Sequence, residues 1–303
     1  MQYNLIVILG PTATGKTTLA ANVAHQLHSS VISADSRQIY RGMDIGTGKD
    51  IIDYTVNGEL VPHYLVDICN AGEKYNVYEF QKDFLEIFNQ LLQQKQVPVM
   101  CGGSCMYIEA VLKSYKMASV PDNEVLRMEL DGKTDQELIK MLSQYKQLHN
   151  TSDITSQKRL IRAIEIAIYE QTHPIENANF PKINNLLIGI HFEREEQRQR
   201  ITERLKQRLQ SGMIDEVKKL LETGISAEDL IYYGLEYKFI TLYLTGKITY
   251  DEMFSLLNIA IHQFSKRQMT WFRKMEREGR HIHWVDGHLP LNEKVQEVMQ
   301  LLK

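Results

Sequence analysis

Along the first third of the chain, short apolar runs alternate with amphipathic stretches of helical spacing. Leu5-Ile6-Val7-Ile8-Leu9 is apolar without interruption, the pattern of a strand buried on both faces. A helical pattern follows at Leu19-Ala20-Ala21-Asn22-Val23-Ala24. Further strands are predicted at residues 30–36, 62–68 and 97–101, the first two ending at or near Asp35 and Asp67. Between them, residues 75–94 place Phe80, Phe84, Ile87, Phe88, Leu91 and Leu92 on one helical face, a core face. A short helix is expected over 107–112. After about Ser114 the alternation stops, and 121–172 carry only helical patterns, at 123–131, 134–148 and 156–169. A Pro-, Asn- and Thr-containing stretch from His173 to Pro181 breaks that run. An apolar strand returns at 186–190, and helical patterns then occupy 194–209, 215–222, 236–244 and 250–275.

The turn between the first strand and the first helix reads Gly10-Pro11-Thr12-Ala13-Thr14-Gly15-Lys16-Thr17. Strand, Gly-x-x-x-x-Gly-Lys-Thr and helix, in that order, form a phosphate-binding loop. Backbone N–H groups turn inward around phosphate oxygens, and the helix N-terminus adds positive potential. Lys16 is placed to reach a terminal phosphate and the Thr17 hydroxyl to bind Mg²⁺. The chain is therefore expected to be α/β: a P-loop, doubly wound parallel sheet with an all-helical insertion lobe and C-terminal helices. Residues 1–115 and 184–303 are expected to form the core, and 116–183 the insertion.

In such sheets ligand chemistry collects at the carboxyl ends of the strands. Asp35 is thus a candidate general base or metal ligand, with capping of the next turn as the plain alternative. Asp67 reads more readily as a strand-end Asp than as a Mg²⁺ ligand. Gly102-Gly103-Ser104 permits close backbone approach to a ligand, and Ser104 is a candidate donor to a leaving oxygen or simply a helix cap. Gly46-Thr47-Gly48-Lys49 lacks the spacing and the entering strand of a second phosphate loop and reads as ordinary loop. The charged helix over 194–209 reads as a solvated face. In 263–273, basic and amide groups alternate with aromatics, which suits phosphate contacts and base stacking, or an amphipathic helix with snorkelling cations.

Composition narrows the class. With 303 residues, 43% hydrophobic and 24% charged, the chain is globular. A net charge of −3 means that any nucleic-acid site must be a local patch. Cys69, Cys101 and Cys105 read as reduced thiols without metal-ligand spacing. No signal segment and no membrane span is predicted, so a soluble, cytoplasmic protein is expected.

The ordered motifs resemble the tRNA dimethylallyltransferase (tRNA isopentenyltransferase) family. The resemblance runs nearly end to end. It is carried by the phosphate loop; by Asp35-Ser36-Arg37-Gln38-Ile39-Tyr40 with Gly42-Met43-Asp44-Ile45-Gly46-Thr47; by Pro62-His63 and Asp67-Ile68; and by Gly102-Gly103-Ser104 with Tyr107. Further matches are the block from Lys158 to Glu165, Gly212-Met213-Ile214-Asp215-Glu216-Val217, and Lys266-Arg267-Gln268-Met269-Thr270-Trp271-Phe272-Arg273. The resemblance implies transfer of a dimethylallyl group from dimethylallyl diphosphate to N6 of adenosine 37, beside the anticodon, by a monomeric enzyme using Mg²⁺. The phosphate loop would then hold the diphosphate of the donor, Asp35 would act as general base, and Ser104 would bond the bridging oxygen. Contacts to the tRNA anticodon stem–loop are implied for Asp35, Ser36, Arg37, Gln38, Ser104 and Arg127. They are likewise implied for Thr155, Ser156, Gln157, Lys158 and Arg159, and for Gln263, Phe264, Ser265, Lys266, Arg267 and Gln268.

The sequence departs from the family pattern at Tyr232-Tyr233-Gly234-Leu235-Glu236-Tyr237-Lys238, where the family carries an Arg and Gly-Tyr-Arg or Gly-Tyr-Lys. Lys238 is the expected substitute for a diphosphate-binding Arg, as a point charge without a bidentate fork. Thr155-Ser156 replaces an Asn-Asp pair, His262 an Arg, and Ser104 a Thr. Alternative readings are a free-adenylate isopentenyltransferase, a small-molecule P-loop kinase, and an inactive tRNA-binding paralogue.

Overall fold

A computed structural model describes residues 2–146, 154, 156–173 and 180–303. Ten strands occur among them: β1 (Leu5–Leu9), β2 (Val31–Ser33), β3 (Tyr40–Arg41), β4 (Thr55–Val56), β5 (Glu59–Leu60), β6 (His63–Tyr64), β7 (Cys69–Asn70), β8 (Val99–Gly102), β9 (Asn185–His191) and β10 (Ile282–Asp286). Six of these make one sheet in the order β10-β9-β1-β8-β2-β6, every neighbouring pair parallel. The other four form two short pairs, β3 with β7 and β4 with β5. This is the parallel α/β sheet expected from the alternating pattern.

All five residues of β1 are buried, and they divide between the two faces. Ile6 and Ile8 pack with the helix α1 (Lys16–Gln26) and with the C-terminal helix α12 (Leu291–Gln300). Leu5, Val7 and Leu9 pack with α2 (Val77–Gln93) and α3 (Cys105–Leu112). A central parallel strand covered on both sides needs that unbroken apolarity. On α2 the expected stripe is observed, with Phe80, Phe84, Phe88 and Leu91 buried. Its start is fixed by a capping box in which Asn76 accepts from the N–H of Glu79 and the Glu79 carboxylate accepts from that of Asn76.

The chain divides into two compact units, one of residues 1–114 and 182–303, the other of 115–181. The second unit contains α4 (Glu124–Asp131), α5 (Asp135–Tyr145) and α6 (Gln157–Thr172). These three pack Leu130, Leu138, Leu142, Leu160 and Ile164 into a core of their own. The remaining helices belong to the first unit: α7 (Arg194–Gln210), α8 (Met213–Glu222), α9 (Ala227–Tyr233), α10 (Leu235–Leu244) and α11 (Tyr250–Arg277). Most of their buried side chains form a separate apolar cluster with Ile39, Tyr40 and Met43.

Two strand ends and one whole strand differ from expectation. The segment predicted as strand over 30–36 leaves the sheet after Ser33, so Asp35 sits in the following turn. The one over 62–68 keeps only His63 and Tyr64, because Leu65 and Asp67 adopt left-handed backbone (φ 61° and 54°). The edge strand β10 has no counterpart in the hydrophobic pattern as read above. Its alternation, Ile282 and Val285 inward with His283 and Trp284 half-exposed, is weak.

Candidate active site

β1, β8 and β2 lie side by side, and the turns leaving their carboxyl ends carry Gly10–Thr17, Gly102–Ser104 and Ala34–Gln38. Parallel neighbours put all three turns on one rim, and this brings the distant motifs together.

At the first turn Gly10 adopts φ 153°, and a side chain there would meet the Ile190 carbonyl at 2.9 Å, so no other residue fits. The Thr14 hydroxyl donates to the Pro11 carbonyl (3.0 Å), and the Lys16 ammonium donates to the same oxygen (2.7 Å). Burial pushes Lys16 down to about 8, and the nearby Asp35 carboxylate opposes that shift. The Thr17 hydroxyl meets the Cys101 thiol at the end of β8, whose ionisation is pushed up to about 12 by burial. Cys101 is therefore an inert thiol.

At the second turn Asp35 Oδ1 accepts the Arg37 N–H (2.9 Å). Capping its own turn aims the carboxylate, which is half-buried and close enough to Lys16, Arg204 and Glu236 to act on their charges. At the third turn Ser104 precedes α3, but its hydroxyl does not cap that helix. Its Oγ accepts the Ser36 N–H (2.9 Å) and donates to Ser36 Oγ (3.2 Å), binding the second and third turns to each other. Gln38 is turned away, donating to the Gly48 carbonyl (3.1 Å). Arg37 lies against Gly234 at the start of α10.

The helix α7, expected to be a solvated face, instead grips the phosphate loop. Gln197 donates to the Thr12 carbonyl, Arg200 to the Ala13 carbonyl (3.3 Å) and Arg204 to the Thr12 hydroxyl. These residues, with Arg208, recur at helical spacing on the same side as buried Ile201 and Leu205. The cation stripe beside two apolar positions was the signal, and mixed-sign neighbours hid it. Burial pushes the Arg204 guanidinium down, yet an arginine keeps its proton at neutral pH.

Lys238 is exposed and lies over the Phe239 ring, 5.3 Å from its centre. Two residues earlier, on another face of α10, Glu236 faces a small cavity that it lines with Ile201, Arg204, Leu205, Arg208 and Ile261. Burial raises its carboxyl, and Arg204 and Arg208 oppose the shift. The cations near the loop thus come from α7, and α10 supplies an acid. The half-exposed Asp67 is ion-paired with Lys49, whose buried ammonium also meets Asp44 (2.5 Å) and the Tyr40 carbonyl (2.9 Å). The Gly46–Lys49 segment is no phosphate cradle, because the Glu216 carboxylate accepts the N–H groups of Asp44, Ile45 and Gly46 (2.8, 2.7 and 3.0 Å).

The residues with implied RNA contacts divide. On α11, Gln263, Phe264, Lys266 and Arg267 are exposed, with the Arg267 guanidinium 6.0 Å from the Phe264 ring centre. Ser265 and Gln268 are buried, which takes them off that surface: Gln268 spans Thr12 N–H (3.0 Å) and the Gly103 carbonyl (2.8 Å). Arg127, Ser156, Gln157, Lys158 and Arg159 belong to the second unit, and Thr155 lies outside the described residues. Arg127 bonds Asp122 (2.5 Å) and Glu165 (2.9 Å). Gln157 Nε2 donates to the carbonyls of Asp131 and Lys133 (both 3.1 Å), whereas Lys158 and Arg159 are exposed. Among the described residues no group of three or more His, Cys, Asp or Glu is arranged to hold a metal, and no helix is long and apolar enough to cross a membrane.

Residues 38–275 match the family model described as IPP transferase. The chain is 57% identical over 301 residues to tRNA dimethylallyltransferase 2 of Bacteroides fragilis, covering 99% of this chain and 98% of that one. It is 55% identical over 300 residues to tRNA dimethylallyltransferase 1 of Parabacteroides distasonis, with the same coverage. The crystal structure of the tRNA isopentenylpyrophosphate transferase of Bacillus halodurans superposes with a TM-score of 0.72 at 30% identity, over 99% of this chain and 95% of that one. A eukaryotic dimethylallyltransferase acting on tRNA shares the fold, with a TM-score of 0.77 at 20% identity. With the family model covering most of its length and relatives this similar from end to end, the chain belongs to the IPP transferase family of tRNA dimethylallyltransferases.

Proposed function

We propose that this protein transfers a dimethylallyl group from dimethylallyl diphosphate to N6 of adenosine 37 in tRNA. The observation that carries this reading is the convergence of Lys16, Asp35 and Ser104 on one rim from three separate turns, inside a family whose members are named for that reaction. The phosphate loop takes the diphosphate, with Lys16 and Arg204 as its cations. An exocyclic adenine amine is a weak nucleophile because its lone pair is conjugated into the ring. In the reaction N6 forms a bond to the terminal allylic carbon as the bond from that carbon to the bridging oxygen breaks. Asp35 accepts the N6 proton, and the electron pair of the broken bond leaves on the diphosphate. The Ser104 oxygen stays held by the Ser36 N–H while its one proton turns from Ser36 Oγ to the bridging oxygen as charge develops there.

The Thr17 hydroxyl is a hard oxygen donor at the loop, and it suits Mg²⁺, which takes its other ligands from phosphate oxygens and water. Mg²⁺ held by Thr17 and diphosphate oxygens would supply charge neutralisation of the leaving group. The target base must leave its loop to be reached, and the exposed Phe264, Lys266 and Arg267 suit stacking and phosphate contacts with a single-stranded segment. Lys158 and Arg159 are proposed as RNA contacts of the second unit.

The test is incubation with dimethylallyl diphosphate, Mg²⁺ and an anticodon stem–loop, followed by nucleoside mass analysis. Isopentenylated adenosine at position 37 is expected. Product on free AMP without RNA, or none at all with either acceptor, would overturn the reading.

A further inference from the structure

Thr12, in the middle of the phosphate loop, is held at all three of its polar groups by side chains more than 180 positions away in sequence. Gln197 and Arg204 of α7 take its carbonyl and hydroxyl, and Gln268 of α11 takes its N–H. The two helices are themselves joined, the Thr202 hydroxyl donating to Asn258 Oδ1 (3.0 Å) and lying 3.2 Å from His262 Nε2. Of the three residues, Gln268 reaches a second turn of the site as well. Its Oε1 accepts the Thr12 N–H at 3.0 Å while its Nε2 donates to the Gly103 carbonyl at 2.8 Å, and the residue is 4% exposed.

We propose that Gln268 is a positioning residue of the prenyl-transfer site, its one carboxamide setting the spacing between the phosphate loop and the Gly103–Ser104 turn. The inference rests on the proposed function, because it assigns those two turns to the diphosphate and to its bridging oxygen. The carboxamide fits in one orientation only: turned over, it would set donor against the Thr12 N–H and acceptor against the Gly103 carbonyl. A carboxylate keeps the acceptor and loses the donor, and an aliphatic side chain loses both. Burial keeps water from replacing either bond. Gly103 is part of the same device. A Cβ there would meet Gln268 Nε2 at 2.4 Å, so the amide rests on bare backbone. The turn it grips carries Ser104 as the next residue, so a displacement at Gly103 moves the hydroxyl that faces Ser36.

The geometry dictates a reciprocal test. Gln268→Ala and Gln268→Glu are expected to lower kcat by about tenfold to a hundredfold, the cost of misplacing reacting groups by a fraction of an ångström to an ångström. Affinity for an anticodon stem–loop without donor is expected to stay at the wild-type value. Gly103→Ala, which pushes the amide aside, should reproduce the loss. The double variant Gly103→Ala/Gln268→Ala should be no slower than either single variant, because removing the amide makes room for the added methyl. Thermal melting of each variant separates unfolding from mispositioning, and Gly103→Ala carries the test if the Gln268 variants fail to fold. Wild-type kcat in Gln268→Glu or in Gly103→Ala, or a double variant as slow as the product of the two single effects, overturns the proposal. Calorimetry of wild-type protein with inorganic diphosphate keeps the two readings apart: no binding there would sink the assignment of the loop, whatever Gln268 does.

Discussion

Lys16 is altered by its surroundings within a pH range that a rate profile can reach. Burial depresses its ammonium to about 8, so in the unliganded protein it is charged below that pH and neutral above it. A bound diphosphate favours the charged form. Hence kcat/KM for the donor should hold from neutral pH up to about 8 and fall about tenfold per pH unit above it, the sign expected for a cation that must hold its proton. A pH profile of kcat/KM with the donor varied checks this, and Lys16→Arg should move the break upward, since guanidinium keeps its proton. With Asp35 as the proposed proton acceptor, Asp35→Asn should lower kcat by about a hundredfold to ten-thousandfold while stem–loop affinity is kept. Single-turnover assays beside binding titrations separate the two effects.

At the scale of elements, the stretch from Gly42 to Lys49 shows how a loop is made rigid without regular structure. Glu216, near the start of α8, occupies the backbone N–H groups of three successive residues, and the Tyr237 hydroxyl donates to the same carboxylate (2.7 Å). Glu216→Ala would leave those donors without their acceptor, and the expected destabilisation is about 1–3 kcal/mol, read from the urea midpoint. On α7, Arg204→Lys should raise KM for the donor more than it lowers kcat, because a point charge replaces a planar fork at the phosphate loop. Both expectations depend on which way a helix face turns. Periodicity placed 194–209 on a helix correctly, but a stripe of arginines with acids between them reads as solvent-facing. Only the packing of Ile201 and Leu205 against the C-terminal cluster turns that stripe toward Thr12. The same holds for Lys238 and Glu236: the tetrapeptide from Leu235 to Lys238 offers one cation and one acid, and the roll of α10 puts the acid at the cavity.

For the whole molecule, the helical unit of 115–181 has a core of its own, centred on the fully buried Leu138, Leu142 and Leu160. Truncating Leu138 to Ala should destabilise this unit by about 2–5 kcal/mol and leave the first unit's diphosphate binding intact, which denaturation followed by calorimetry would show. Net charge is −3, so RNA affinity must come from a few local cations rather than from a global field. Lys266→Ala should weaken stem–loop binding and reduce the slope of log affinity against log salt by about one.

What the sequence determined by itself was the order of five of the six strands of the main sheet, and of most helices, around one glycine-rich loop. An unbroken apolar run can only be a covered strand, and Gly-x-x-x-x-Gly-Lys-Thr after it has few uses other than holding phosphate. Those are local properties, set by side-chain period and by backbone conformations that a few residues allow. Tertiary structure alone decided which side chains hold the phosphate loop in shape. Gln197, Arg204 and Gln268 lie 185, 192 and 256 positions from Thr12, and no local pattern records a hydrogen bond over that separation. It arises only when the parallel sheet sets β1 between β8 and β9 and the C-terminal helices close over its carboxyl edge.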